Sequence, residues 1–363
     1  MRSIDELSGS NPVTNCQMNQ PNARDLIPNE SPHRGQIQPI GEEDLNRPHW
    51  SVMIPTYNCA MYLRETLASV LAQAPGPEQM QIEVVDDCST KDDPAAVVQE
   101  IGKGRVSFYR QPHNVGHTRN FATCLQRARG RLVHQLHGDD YVRDGFYAKM
   151  GTAFRVRPDI GGAFCRTIYA KQTGQWVAIS GLEREEPGVL ENFAELLAAQ
   201  QRIQTPSMVV RRSVYEQLGG FDNRLSWTED WEMWVRIAAN HPIWFEPEPL
   251  AVYRSHDNSS TERKILTAEN IRDVRRCIAI TSGYFPHKIG AKVRVAASRY
   301  YAKWCIATFA RKLLIAGNPE AAWRQIVEAL KLSRSGPVLY EVAMFLWLRL
   351  RIAGAHIQRS IRS

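Results

Sequence analysis

No apolar run in this 363-residue chain is long enough to span a bilayer, and residues 1–48 contain no apolar core of the kind a secretory leader carries. The seven cysteines form no Cys-x-x-Cys pair, so neither a zinc site nor a disulfide framework is indicated. A reducing, cytoplasmic setting is therefore expected. No Gly-x-Gly-x-x-Gly follows the first apolar strand, which argues against a dinucleotide-dependent dehydrogenase. The segment after that strand, "PTYNCAMY", also lacks the Gly-rich basic loop a nucleotidyltransferase would want. No internal repeat is evident.

What is present is the composition of a protein with a real core: 43% hydrophobic and 23% charged residues. The net charge of +7 permits a nucleotide, phosphate or anionic-membrane partner without requiring one, and no nucleic-acid partner is expected. Residues 1–47 are rich in Asn, Pro and Gln without periodicity and read as a flexible arm. From Trp50 the texture changes. Four apolar strand segments, "WSVMIPTY", "QIEVVDD", "RVSFYRQ" and "RLVHQL", each precede a helical pattern. That alternation predicts an open, largely parallel α/β sheet flanked by helices over residues 48–260. Within that span "GGAFCRTIYA" and "GQWVAIS" read as a hairpin and "IWFEPEPLAVYRSH" as paired strands, and residues 261–363 read as helices only.

Ligands on such sheets bind beyond the carboxyl ends of the strands. The polar clusters fall there: "PTYN" after the first strand, "DDCST" after the second and "HGDD" after the fourth. Gly-Asp-Asp alone is ordinary turn chemistry. Adjacent carboxylates on a binding rim, however, call for a positive partner, because ionised acids are costly to bury unpaired.

Taken in order, "IPTYN", "VVDDCST", "NVGHTRN", "HGDD", "GGFD" and "TEDWEMW" resemble the motifs of the family 2 glycosyltransferases, the inverting group with the A-type nucleotide-sugar fold. The resemblance covers roughly residues 50–260. It implies a nucleotide-diphosphate sugar donor, uridine by default, and a glycan or lipid-linked acceptor. Thr56 and Tyr57 would contact base and ribose. Asp87 would accept from the base with Asp86 supporting the loop, and Ser89 with Thr90 would cap the next helix. Arg119 would reach a phosphate or the base edge. At "HGDD" the family pattern is Asp-x-Asp. Here His137 replaces the first acid, so Asp139 is the expected metal ligand and donor contact, with Asp140 as a second ligand or a sugar contact. The cation would be Mn²⁺ or Mg²⁺, with Mn²⁺ slightly favoured if His137 adds a nitrogen. Asp230 is the candidate general base and Glu229 its orienting neighbour, or both merely favour a helix N-terminus. Trp227 would stack on a sugar, and His256 would close on the metal or diphosphate. Trp231 and Trp234 read as core.

The Gln-x-x-Arg-Trp signature of processive synthases is missing after Asp230, so a single-transfer hexosyltransferase in surface-polysaccharide assembly is expected. The alternative is a non-catalytic relative that binds nucleotide-sugar or glycan as a sensor or scaffold. The stretch "VLYEVAMFLWLRLRIAGAHI" is broken by Glu341, Arg349 and Arg351. It reads either as a helix packed on the catalytic domain or a second subunit, or as a peripheral membrane contact.

Overall fold

The computed structural model describes residues 31–41, 47–255 and 260–362. Strands β1 (Trp50–Thr56), β2 (Met80–Asp86), β3 (Ser107–Arg110) and β4 (Leu132–Gln135) run parallel in the order β3-β2-β1-β4. Helices α1 (Ala60–Leu71), α2 (Pro94–Gly102) and α3 (His117–Arg127) connect them. This half follows the predicted alternation. Beyond β4 the sheet becomes mixed. Strand β5 (Tyr141–Val142) leads into α4 (Phe146–Val156), and β6 (Gly162–Lys171) forms the expected hairpin with β7 (Trp176–Ile179). After β8 (Gly188–Val189) and α5 (Phe193–Ala199), β9 (Met208–Arg211) inserts antiparallel between β4 and β6. Helices α6 (Arg212–Leu218) and α7 (Glu229–Asn240) then lead into β10 (Ile243–Ser255).

The segment 243–255 is a single strand, not the pair its two Pro residues suggest. It runs alongside β6, with irregularities between Glu246, Pro249 and Ala251. Proline removes a ladder donor and is absorbed at such bulges.

Strand β1 is fully buried and apolar along most of its length, as a strand covered on both faces must be. Val52 and Ile54 pack with Leu63, Leu67, Val97 and Phe146 on one side. Met53 faces the other side with Phe121, Tyr215, Trp231 and Trp234. Helices α8 (Ser260–Thr267), α9 (Glu269–Thr281), α10 (His287–Trp304), α11 (Arg311–Ile315), α12 (Pro319–Leu332) and α13 (Gly336–Arg362) complete the chain. A π-helical stretch, Cys305–Ala310, joins α10 to α11. Helices α9 and α10 pack on the sheet domain through Val274, Cys277, Ala297 and Tyr301, while the later helices share a smaller core of their own.

The flexible-arm reading does not hold for residues 31–41. Ile37 and Arg34 are buried, and Arg34 bridges Asp222. The remainder of that reading, 1–30 and 42–46, lies outside the described residues. The anchor is a buried polar knot. The Arg236 guanidinium donates to the carbonyls of Leu218, Gly219 (3.2 Å) and Gly220 (2.8 Å), and pairs with Glu232 at 2.9 Å. Tyr284 donates to the same Glu232, and Arg34 donates to the Tyr284 hydroxyl at 2.6 Å. Breaking a buried pair from one side leaves an uncompensated charge. Arg236→Leu should therefore lower unfolding free energy by about 3–5 kcal/mol in urea titrations, and Glu232→Gln on that background should recover part of the loss.

Candidate active site

The ends of β1, β2 and β4 open into a cavity of about 1030 Å³. Its first side is built by short loops that brace one another. Asn58, at φ 51°, donates its N–H to Ser89 Oγ (2.8 Å), and its Oδ1 accepts from the N–H groups of Thr90 (2.9 Å) and Lys91 (3.0 Å). Ser89 and Thr90 are thus spent on the β1 loop, and the cap of α2 is Asp93, which accepts from Ala95 and Ala96 with Pro94 at the first helical position. Asp86 is wholly buried. It accepts from Ser89 and from Arg110 Nε (2.7 Å) and does not line the cavity, so its role is to support the loop.

Asp87 does face the cavity. Its oxygens accept from the N–H groups of Val115 (2.7 Å) and Gly116 (3.0 Å), which holds the loop entering α3. Gly116 sits at φ 85°, a conformation that favours glycine. Burial lifts the Asp87 carboxyl above its ordinary range, against the pull of these two N–H groups. Thr56 and Tyr57 line the same wall, Thr56 buried and Tyr57 exposed. Arg119 is exposed and lies outside the lining, so the expected phosphate contact is not offered. Two residues back, on the opposite side of the helix, His117 occupies the cavity wall instead.

The "HGDD" turn crosses the end of β1. A Cβ on Gly138 would stand 2.9 Å from Thr56 Oγ1 and 3.0 Å from Cys59 Sγ, so only glycine lets the loop sit so close. Arg254 on β10 pins it from beyond: its N–H donates to Asp140 Oδ1 (2.9 Å) and its Nε to the Asp139 carbonyl (2.9 Å). His137, Asp139 and Asp140 each turn a ligating atom into one spot, within 4.8 Å of one another. Among the described residues His137 Nε2 and Asp140 Oδ2 are buried without a hydrogen-bond partner, and the 3.6 Å between His137 Nδ1 and Asp140 Oδ2 is ion-pair distance but too long for a hydrogen bond. Burial, reinforced by Asp139, pushes the Asp140 carboxyl up to about 6 despite the His137 ring. Two carboxylates and an imidazole with orphaned buried atoms fit a divalent cation.

Opposite stands the start of α7. Asp273, reaching in from α9, accepts at Oδ2 from the N–H groups of Ser226 (3.2 Å), Trp227 (2.9 Å) and Thr228 (3.0 Å) and from Thr228 Oγ1 (2.8 Å). That cradle fixes the turn that carries Glu229 and Asp230. Asp230 Oδ2 accepts from Gln201 Nε2 and Thr205 Oγ1, both at 3.2 Å. Burial, then the Glu229 charge, pushes its carboxyl up to about 7. For Glu229, burial alone would raise the pKa, but His117 Nε2 at 3.1 Å outweighs it and leaves the carboxyl below its ordinary value. Two adjacent acids are thereby set apart in basicity.

The remaining wall is aromatic. Trp227 lies nearly parallel to Trp304 of α10, ring centres 6.5 Å apart, with Tyr253, Tyr301 and the buried Trp231 nearby. Trp231 and Trp234 are core, as their spacing implies. His256 lies outside the described residues. Sequence reasoning missed His117, Gln201, Asp273, Tyr301 and Trp304. Only His117 lay inside a recognised motif.

Residues 51–219 match the family model described as glycosyl transferase family 2. This stretch is a family 2 glycosyltransferase domain. An uncharacterized protein of Mycobacterium tuberculosis is 28% identical to the chain over 243 residues, 64% of this chain and 75% of its own length. An uncharacterized glycosyltransferase of Haemophilus influenzae is 24% identical over 261 residues, 69% and 78%. Among solved structures, S. aureus TarS residues 1–349 in complex with UDP-GlcNAc superposes with a TM-score of 0.60 at 16% identity, covering 77% of this chain and 79% of that one. The mannosyltransferase PcManGT of Pyrobaculum calidifontis, in complex with GDP-Man and Mn²⁺, gives 0.53 at 17%, covering 84% and 81%. The glycosyltransferase fold, a mixed sheet with flanking helices and a helical C-terminal region, is thus shared with these proteins.

The raised Asp230 pKa is a stability statement. Its protonated form suits the site, so its stabilising contribution is full only below about pH 4, where the unfolded carboxyl is protonated too, and is lost as pH rises from there to about 7. Asn cannot ionise, and its amide can donate to Gln201 Oε1, which is buried without a partner. Asp230→Asn should come closest to wild type in unfolding near pH 4 and exceed it at pH 8, by about 2–4 kcal/mol. An equal offset at both pH values would refute the assignment.

Proposed function

We propose that this glycosyltransferase is metal-dependent and inverting, and moves a single hexose from a nucleotide-diphosphate sugar to a glycan or glycolipid acceptor in surface-polysaccharide assembly. The observation that carries the reading is that Asp230, His137 and Asp139 line one cavity, with the buried Asp140 grouped beside His137 and Asp139. The donor would lie along Thr56, Tyr57 and Asp87, with its diphosphate toward the cluster. A uridine donor is favoured by analogy with the UDP-GlcNAc held by TarS, and a divalent cation by the Mn²⁺ held by the mannosyltransferase. A cation held by Asp139, Asp140 and His137 would supply charge neutralisation for the diphosphate.

The chain's own residues then account for the proton. In one displacement the acceptor oxygen forms a bond to the anomeric carbon as the bond from that carbon to the diphosphate oxygen breaks. The hydroxyl proton passes to Asp230, and the electron pair leaves with the diphosphate. A base near pKa 7 is poised for this at neutral pH. Glu229, kept ionised by His117, holds that basicity up. Trp227 and Trp304 offer faces on which a sugar ring can stack, and Gln201 fixes the base with its amide.

Purified protein assayed with UDP- and GDP-sugars in Mn²⁺ tests the roles separately. Asp230→Asn should cut turnover by about 10²–10⁴-fold while nucleotide-sugar binding stays near wild type. Retention of most turnover would remove Asp230 as base. Asp139→Asn should instead weaken Mn²⁺-dependent nucleotide binding, read by calorimetry. The basic form is the active one, so wild-type turnover should fall as pH drops through about 7, and a flat profile from pH 5.5 to about 8 would contradict the mechanism.

A further inference from the structure

Helix α13 is amphipathic twice over. Its inner face places Val338 and Phe345 in the C-terminal core, with Val342, Leu348 and Ile352 partly buried against it. Its outer face exposes Leu339 (50%), Tyr340 (62%), Leu346 (40%), Trp347 (50%) and Leu350 (73%). At 3.6 residues per turn these five fall within about 120° of arc, a continuous apolar stripe three turns long. Isolated exposed leucines need no explanation, but a stripe of this kind marks a contact surface.

The charges around the stripe identify what it meets. Arg351 flanks it on one side and stacks its guanidinium 4.8 Å from the Trp347 ring, and Arg349 projects from the other side. The only acid of the helix, Glu341, is buried on the inner side and paired with Arg311. The sequence adds Arg359 and Arg362 and no further carboxylate. A second copy of the chain seated here would bring arginine against arginine with no acid on the face to compensate. An anionic lipid surface meets both needs. It accepts the leucines and the tryptophan at the depth of the headgroup boundary and pairs phosphate with the flanking guanidinium groups. No helix among the described residues is long and apolar enough to cross a membrane, which leaves the in-plane orientation.

We infer that α13 docks the protein in the plane of an anionic bilayer through the Leu339–Leu350 stripe. The inference is independent of the donor chemistry and stands or falls without it. Full-length protein is sedimented with vesicles of phosphatidylcholine alone or mixed with phosphatidylglycerol, at low and high salt. Wild type should partition onto the mixed vesicles, with weaker binding at high salt. Trp347→Glu with Leu350→Glu should reduce partitioning by about tenfold or more, and Arg349→Gln with Arg351→Gln should remove most of the anionic preference. Because the stripe is exposed, both variants should keep the wild-type thermal midpoint and nucleotide-sugar affinity. Absence of vesicle binding by wild type, or equal binding by the charged variant, overturns the inference. So does a wild-type dimer by light scattering that the same substitutions convert to monomer, which would assign the stripe to a second copy.

Discussion

Repulsion between gathered carboxylates is the constraint around which this cavity is built. Asp139 and Asp140 sit on one side and Glu229 and Asp230 on the other, all in or against one depression. Folding alone would scatter them, since each desolvated charge opposes its neighbours. The chain resists with fixed donors. Arg254 takes the "HGDD" turn by the Asp140 side chain and the Asp139 carbonyl, Asp273 gathers three successive N–H groups ahead of α7, and His117 sits on Glu229. Each of these donors or cradles comes from a different element than the acid it serves. The site is therefore a product of the tertiary fold, and none of its loops would hold the same shape alone.

The compensation is uneven, and the unevenness carries the chemistry. Glu229 receives a direct imidazole contact and is held ionised, whereas Asp230 receives only neutral amide and hydroxyl donors. The same burial therefore ends in opposite shifts for two neighbouring residues. On the other side His137 Nε2 and Asp140 Oδ2 are left without a hydrogen bond among the described residues. Buried atoms so placed are costly in the empty protein and become favourable only with an electrophilic guest. Stability is spent at both places where the proposed reaction needs reactivity.

The sequence made the parallel half of the fold legible because β1 to β4 are apolar runs punctuated by turn residues, and because polar clusters fell on one rim. Asp87 and Asp139 were legible because they fall in clusters just past strand ends at that rim, whereas Asp230 was legible only through the resemblance of "TEDWEMW" to the family motif. Position within a motif was less informative. In "NVGHTRN" the guanidinium of Arg119 looked the better ligand, yet the pitch of α3 turns it to solvent and presents His117. Side-chain chemistry suggested one residue and helical phase selected another. Strand β10 misled through its prolines, which are absorbed as bulges beside β6. Arg34, Asp273, Tyr301 and Trp304 had no local signal at all, because their partners lie far along the chain.

Those distant residues follow a pattern. The proposed donor wall, from Thr56 to Asp139, lies within the family-matched stretch 51–219. Asp230, Trp227 and Tyr253 lie beyond it, and Glu262, Arg263, Tyr301 and Trp304 come from the terminal helices. Chemistry common to nucleotide-sugars needs only the strand ends, whereas the opposite wall must match whatever alcohol arrives. Helix α10 belongs to both settings. The Tyr301 hydroxyl accepts from the Gln201 N–H at 3.0 Å and closes the cavity, while the π-helical stretch that follows α10 packs with α12 and α13. The region that shapes the acceptor wall is thus continuous in structure with the helix whose outer face is apolar and basic. An acceptor held at a lipid surface, as proposed, would meet the aromatic wall of α10 and the stripe of α13 in one packed helical region, which gives a physical reason for helices α8 to α13 to follow the domain that carries the proposed donor wall.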